Sequence, residues 1–218
     1  MKDRLLNLVT ALCVAAALAV VALLVQRETS APDGRAAQAP PSVPADWESY
    51  AAAGQRLGTA DAPVRLILFS DYQCAFCAEL HRTLQALRER DPGRVQVVFR
   101  HFPLDGVHPH ARRAAMAAEC AAEQGTFEAY SLALFSDQAR IGTAGWGEIA
   151  ADAGVPLDTA ALVRCIADGR TAGRLAEDLA AGKRLGVGRT PTTLVNGRRV
   201  VGAVSLQLID SVLALPAR

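Results

Sequence analysis

Apolar positions along the chain fall into runs of different period, and the first run has no period at all. Leu5 to Val25, LLNLVTALCVAAALAVVALLV, is 21 residues without a charge. At about 1.5 Å rise per residue it reaches roughly 30 Å, one hydrocarbon thickness. Lys2 and Arg4 precede it, and no small-x-small cleavage signal follows closely. Residues 1–28 are therefore expected to form an uncleaved single-pass anchor, with the bulk of the chain outside the cytoplasm. A cleaved signal peptide is the alternative, and it exports the domain equally. Thr29 to Asp46 then carries four prolines and almost no large apolar residues, the composition of a linker.

From Trp47 onward the pattern is that of a folded domain, 47–218. PVRLILFSD (63–71) is a short apolar run suited to a buried strand. In CAFCAELHRTLQALRERDPG, Phe76, Leu80, Leu84 and Leu87 recur at helical spacing until Pro92-Gly93 stops the helix. VQVVFRHF (95–102) is a second strand. A crossover of this length implies a parallel pair in a right-handed βαβ unit. From Pro109 to about 187 the pattern is helical, with Asp158 as an N-cap and Gly169 beyond the end of the same helix. Asn196-Gly197 inside TPTTLVNGRRVVGA marks a hairpin. SLQLIDSVLAL (205–215) closes with a helix. The predicted architecture is α/β: one mixed sheet from βαβ plus hairpin, a terminal helix, and an all-helical insertion over about 107–187.

Composition narrows the chemistry. A net charge of +1 gives no reason to expect a nucleic-acid partner, and four histidines are few for a metal protein. Two of the five cysteines stand close together in DYQCAFCAEL, where a strand gives way to a helix. A structural zinc site wants four ligands, and Cys74 and Cys77 have no second pair. His81 lies one turn after Cys77, without an evident fourth ligand. A c-type haem needs histidine directly after the second cysteine, where Ala78 stands.

Redox chemistry fits better. Cys74 opens the helix, where unpaired N–H groups and the positive end of the helix dipole stabilise a thiolate. Cys77, one turn further in, would be the less exposed partner. A Cu(I)-binding dithiolate is a minor alternative, although Met or His ligands are missing beside the pair.

FSDYQCAFCAELH, FRHFPLDGVHPHA, AAECAAEQGTFEAYSLALF and GVGRTPTTLVNGRRVVGA together resemble, in the right order over roughly 48–215, the DsbA-like branch of the thioredoxin superfamily. The resemblance implies a thioredoxin fold and an extracytoplasmic thiol–disulfide oxidoreductase. Cys74 would be the attacked cysteine, Cys77 its partner, and Pro191 a cis-proline that, with Thr190, faces the pair and receives substrate. On the residues alone, Pro191 reads equally as a trans proline at a strand start. Many relatives carry proline after the first cysteine. Here Ala75-Phe76 fills the gap, a departure that bears on the direction of electron flow.

The resemblance also implies a disulfide between Cys120 and Cys165; two buried free thiols are the alternative. Cys13 lies in the apolar run. His101, His108 and His110 either tune the thiolate or satisfy local hydrogen bonds, and the basic pairs Arg112-Arg113 and Lys183-Arg184, with Arg189, suit solvated faces. The expected activity is disulfide introduction into secreted or periplasmic polypeptides. A reductase or isomerase on the same fold is the alternative. No bound cofactor is expected. The implied partner is a quinone-linked membrane protein, DsbB-like or of the vitamin-K-epoxide-reductase kind.

Overall fold

The computed structural model describes residues 15–16, 18–22, 44–203, 205, 207 and 210–211. The chain divides into two units, Met1–Pro41 and Ser42–Arg218. The described residues of the first unit are helical. Among the described residues no helix is long and apolar enough to cross a membrane. The predicted span over 5–25 and the linker over 29–46 lie mostly outside the described residues.

In the second unit a 3-10 helix, Trp47–Ala51, leads into β1 (Gln55–Leu57), β2 (Val64–Ser70), α1 (Ala75–Arg90) and β3 (Val95–His101). Five helices follow: α2 (Ala111–Ala122), α3 (Phe127–Ser136), α4 (Trp146–Asp152), α5 (Thr159–Ala167) and α6 (Ala172–Arg184). A 3-10 turn, Gln138–Arg140, separates α3 from α4. β4 (Thr192–Val195) and β5 (Arg198–Val201) complete the sheet, in the order β1-β3-β2-β4-β5. β2 and β3 are parallel, and the other neighbours are antiparallel. This is the mixed thioredoxin sheet, with the helical block between β3 and β4.

β2 reads as a continuous apolar run because both faces of the sheet are covered. Leu66 and Leu68 point into a core shared with Leu80, Leu84 and Leu87 of α1 and with the inserted helices. Ile67 and Phe69, one residue out of phase, point into a second core with Phe102, Leu185 and Ala181. α6 closes that face at Gly182, where an added Cβ would lie 2.5 Å from the Phe102 ring. The hairpin turn has φ of 44° at Asn196 and 78° at Gly197, so two left-handed residues match the strand twist. The Asn196 side chain then ties the turn to the start of β2: its Oδ1 accepts from Arg65 N at 2.9 Å.

Two elements differ from the sequence expectation. β1 was not foreseen, because three residues, Gln-Arg-Leu, carry no alternation. α2 begins at Ala111 with His110 as its N-cap, two residues after the proline expected to open it. Pro109 fixes the approach to the helix and does not form its first turn. The predicted terminal helix lies mostly outside the described residues.

A buried ion pair joins α6 to β3. Asp178 accepts from Arg100 Nε at 2.7 Å and from the His101 backbone N–H at 2.8 Å, and Arg100 also donates to Tyr50 O at 2.8 Å. Asp178→Ala would strand the Arg100 charge inside the protein, and denaturant unfolding is expected to show a loss of about 3–5 kcal/mol. A loss under 1 kcal/mol would mean that water reaches Arg100.

Candidate functional site

β2 ends at Ser70, and the chain turns through Asp71–Gln73 to place Cys74 as the N-cap of α1. The Cys74 N–H donates to Asp71 O at 3.2 Å, and the Cys74 carbonyl accepts the first helical bonds from Cys77 N and Ala78 N at 3.0 and 3.2 Å. The N–H groups of Ala75 and Phe76 have no partner earlier in the helix and are free to face the cap sulfur, while that of Cys77 also bonds the Cys74 carbonyl. Cys74 and Cys77 are both free thiols. Cys74 keeps 7% of its surface exposed and Cys77 none, while Phe76 between them is 63% exposed.

Opposite the pair runs the segment before β4. The Thr190–Pro191 peptide bond is cis, and Cys74 Sγ donates to Thr190 O at 3.3 Å. The structure thus brings together Cys74, Cys77 and Thr190-Pro191, although 116 positions separate Cys74 from Thr190.

The two thiols are pushed in opposite directions. Cys74 is lowered to about 6, chiefly because the Cys77 thiol donates to its sulfur. Burial opposes this, and the N–H groups of Cys77 and Phe76 with the Thr190 hydroxyl support it. Burial pushes the Cys77 thiol far up, and its bond to Cys74 adds to the rise; the Ser70 hydroxyl only moderates it. Cys74 is therefore the more acidic sulfur of the two, and Cys77 the one held as a thiol.

Residues that sequence reasoning did not single out hold the turn. The buried Asp71 carboxylate accepts from Gln73 N, Leu104 N and His108 Nδ1, each at 2.8 Å, and so locks the loop after β3 to the cysteine turn. Gln73 Oε1 accepts from His110 N at 2.7 Å. From the insertion, Gln138 Nε2 donates to Tyr72 O at 2.6 Å and to Cys74 O at 3.0 Å. Tyr72 packs on Phe135 and Phe99 at 4.7 and 5.7 Å and shares a 2.6 Å hydrogen bond with Ser131. The signal for Asp71 was its place directly after the strand; nothing in the sequence marks Gln138.

Cys120 on α2 and Cys165 on α5 are joined by a disulfide, with 5.9 Å between their Cα atoms. His108 bonds Asp71, and His101 Nε2 bonds Glu119 Oε1 at 2.9 Å, so both serve local networks. His101, Glu119 and Asp178 are close enough to suggest a metal site, yet Asp178 already holds Arg100 and the His101 N–H. A cation there would displace a guanidinium, and the cluster contains neither Cys74 nor Cys77.

A family model described as Thioredoxin matches residues 51–214. A thioredoxin-like oxidoreductase from Silicibacter pomeroyi is 30% identical, with a TM-score of 0.63 over 76% of this chain and 94% of that one. The chain belongs to the thioredoxin family. Its helices inserted between β3 and β4 give it the DsbA-like form of the thioredoxin fold. The thiol-disulfide exchange protein alpha-DsbA2 from Wolbachia pipientis shares the fold at 19% identity, with a TM-score of 0.60 over 73% of this chain and 85% of that one. The Na(+)/H(+) antiporter NhaA 3 of Salinispora tropica is 36% identical over 154 residues, which are 71% of this chain and 23% of that protein. The chain thus spans about a quarter of the length of the curated relatives it matches.

On α1, His81 packs against the Phe135 ring at 4.8 Å, and burial lowers it to about 4. A depressed histidine binds its proton mainly in the unfolded chain, so stability is full above about pH 6.5 and falls as the pH drops toward 4. Urea unfolding of the wild type should lose about 2 kcal/mol from this group between pH 7 and 5, and His81→Phe should remove that share of the slope. An unchanged slope in the variant would place the loss elsewhere.

Proposed function

We propose that the chain is a thiol–disulfide oxidoreductase whose redox pair is Cys74 and Cys77, and that it introduces disulfides into extracytoplasmic polypeptides. The observation that carries this reading is the split between the two sulfurs at the start of α1. A stabilised thiolate is a good leaving group, which makes the disulfide form of the pair oxidising.

In the oxidised protein a substrate thiolate attacks the Cys74 sulfur, and the Cys74–Cys77 bond breaks. Its electron pair leaves on Cys77, which takes up a proton because burial disfavours its anion. The substrate is then held to Cys74 as a mixed disulfide beside Thr190-Pro191, with the exposed Phe76 available to apolar substrate side chains. A second substrate thiolate attacks the substrate sulfur, the substrate disulfide closes, and Cys74 departs as thiolate. Two electrons have moved from substrate to protein. The buried, protonated Cys77 is slow to attack the mixed disulfide from within, so return of the substrate unchanged is disfavoured. This asymmetry favours oxidase over isomerase.

The reduced pair must pass its electrons on, and the resemblance supports a quinone-linked membrane partner of the DsbB or vitamin-K-epoxide-reductase-like kind. A single-pass anchor over 1–28 and the linker over 29–46 would hold the domain outside the cytoplasm and near that partner, raising its effective concentration. The domain itself is read as 47–218, with the Cys120–Cys165 bridge suiting an oxidising compartment.

Equilibrating the full chain in graded glutathione buffers tests the direction. An oxidase is expected to show a potential well above about −220 mV, and Cys77→Ser, first loaded as the Cys74–glutathione disulfide by oxidised glutathione, should exchange glutathione for a single-thiol peptide and accumulate the peptide mixed disulfide. A potential near −270 mV, in the thioredoxin range, would make the protein a reductase.

A further inference from the structure

Gln138 lies in the 3-10 turn between α3 and α4, far in sequence from the cysteines, yet its side chain reaches the turn that carries them. Both hydrogens of its amide are committed there, one to Tyr72 O at 2.6 Å and one to Cys74 O at 3.0 Å. The Cys74 carbonyl already accepts from Cys77 N and Ala78 N. It does not need Gln138 to be satisfied, so the third bond adds orientation.

Each peptide unit is planar, with its N–H opposed to its C=O. Fixing the Tyr72 carbonyl fixes the Gln73 N–H, and fixing the Cys74 carbonyl fixes the Ala75 N–H. The Cys74–Ala75 plane adjoins the Cys74 Cα directly, the Tyr72–Gln73 plane lies one peptide unit earlier, and the Gln73–Cys74 unit between them is held by the bond from Cys74 N–H to Asp71 O at 3.2 Å. What remains is a narrow range of directions for its sulfur relative to the N–H groups of Phe76 and Cys77.

We propose that Gln138 is a positioning residue of the thiol–disulfide site: its amide clamps the Tyr72–Gln73 and Cys74–Ala75 peptide planes, at the two ends of the turn that carries Cys74, and holds the sulfur in line with the first N–H groups of α1. This inference rests on the Cys74–Cys77 pair being the redox pair. It gives the inserted helices a part in the chemistry, because the clamp comes from the insertion and not from the sheet. Gln138 touches no reacting atom and acts through the backbone of the residue that does.

Loss of the clamp loosens the aim of those N–H groups, destabilises the Cys74 thiolate and therefore the reduced state, and makes the pair less oxidising. Gln138→Met keeps length and volume without a donor. Gln138→Glu keeps shape but, ionised, turns oxygens toward two carbonyls.

The test uses the reduced full chain, with thiolate absorbance near 240 nm followed against pH and the potential measured in glutathione buffers. Both variants are expected to lower the Cys74 thiolate-to-thiol ratio at pH 6 by about threefold or more, half a unit on the pH axis. The potential should fall by about 14 mV, the same factor for two electrons. If one variant does not fold, the other is read by the same signals. Wild-type values in a folded variant, with or without a lower Tm, would make Gln138 a packing residue and overturn the proposal. A wild-type Cys74 that titrates as an ordinary thiol would instead sink the redox reading on which it rests.

Discussion

The sulfur of Cys74 sits where the central parallel strand gives way to a helix, and the chemistry follows from that junction. β2 is buried on both faces, so its end is fixed in space. The cap position then exposes the sulfur to N–H groups that the helix cannot satisfy itself, and Cys77, one turn later, donates its thiol to the same atom. The Cys74 thiol is thereby lowered to about 6, while burial keeps Cys77 protonated. A pair of similar thiols would exchange disulfides without bias, and this pair has one.

Around that junction the fold spends its polar groups on orientation. Asp71 ties the loop after β3 to the turn, Gln73 ties it to the start of α2, and Gln138 reaches it from the inserted block. Thr190 brings its carbonyl and hydroxyl from the opposite side. The insertion also carries its own covalent link, Cys120 to Cys165, and the buried Arg100–Asp178 pair fastens its last helix to β3. The inserted helices are therefore rigid against the sheet, which is a condition for Gln138 to act as a clamp.

Much of the scaffold was legible in the sequence because its signals are local. Run length separated β2 and β3 from α1, Pro92-Gly93 stopped the helix, and Asn196-Gly197 set the hairpin. β1 escaped because three residues have no periodicity, and the start of α2 was displaced because Pro109 reads as a first-turn residue. At the site, the spacing of Cys74 and Cys77 was visible for the same local reason. The facing of Thr190-Pro191 onto Cys74, and the pairing of Cys120 with Cys165, came from resemblance to a family, since no local pattern encodes contacts across such distances. Gln138 was not legible at all: a glutamine after a helix is common, and only the packed insertion gives it its two carbonyls.

The central claim is that folding stabilises the Cys74 thiolate, and stability measured against pH tests it most directly. A group whose folded pKa is depressed stabilises the native state above its unfolded value and loses that contribution as pH falls through the folded one. The Cys74–Cys77 disulfide has no such dependence, so the oxidised protein is the internal reference. Denaturant unfolding of both forms between pH 5 and 8 should show the reduced form gaining on the oxidised form as pH rises. After allowance for solvent screening the gain should be about 1–2 kcal/mol. A difference that stays flat across that range would contradict the account, because Cys74 would then be no more ionised in the folded protein than in the unfolded chain.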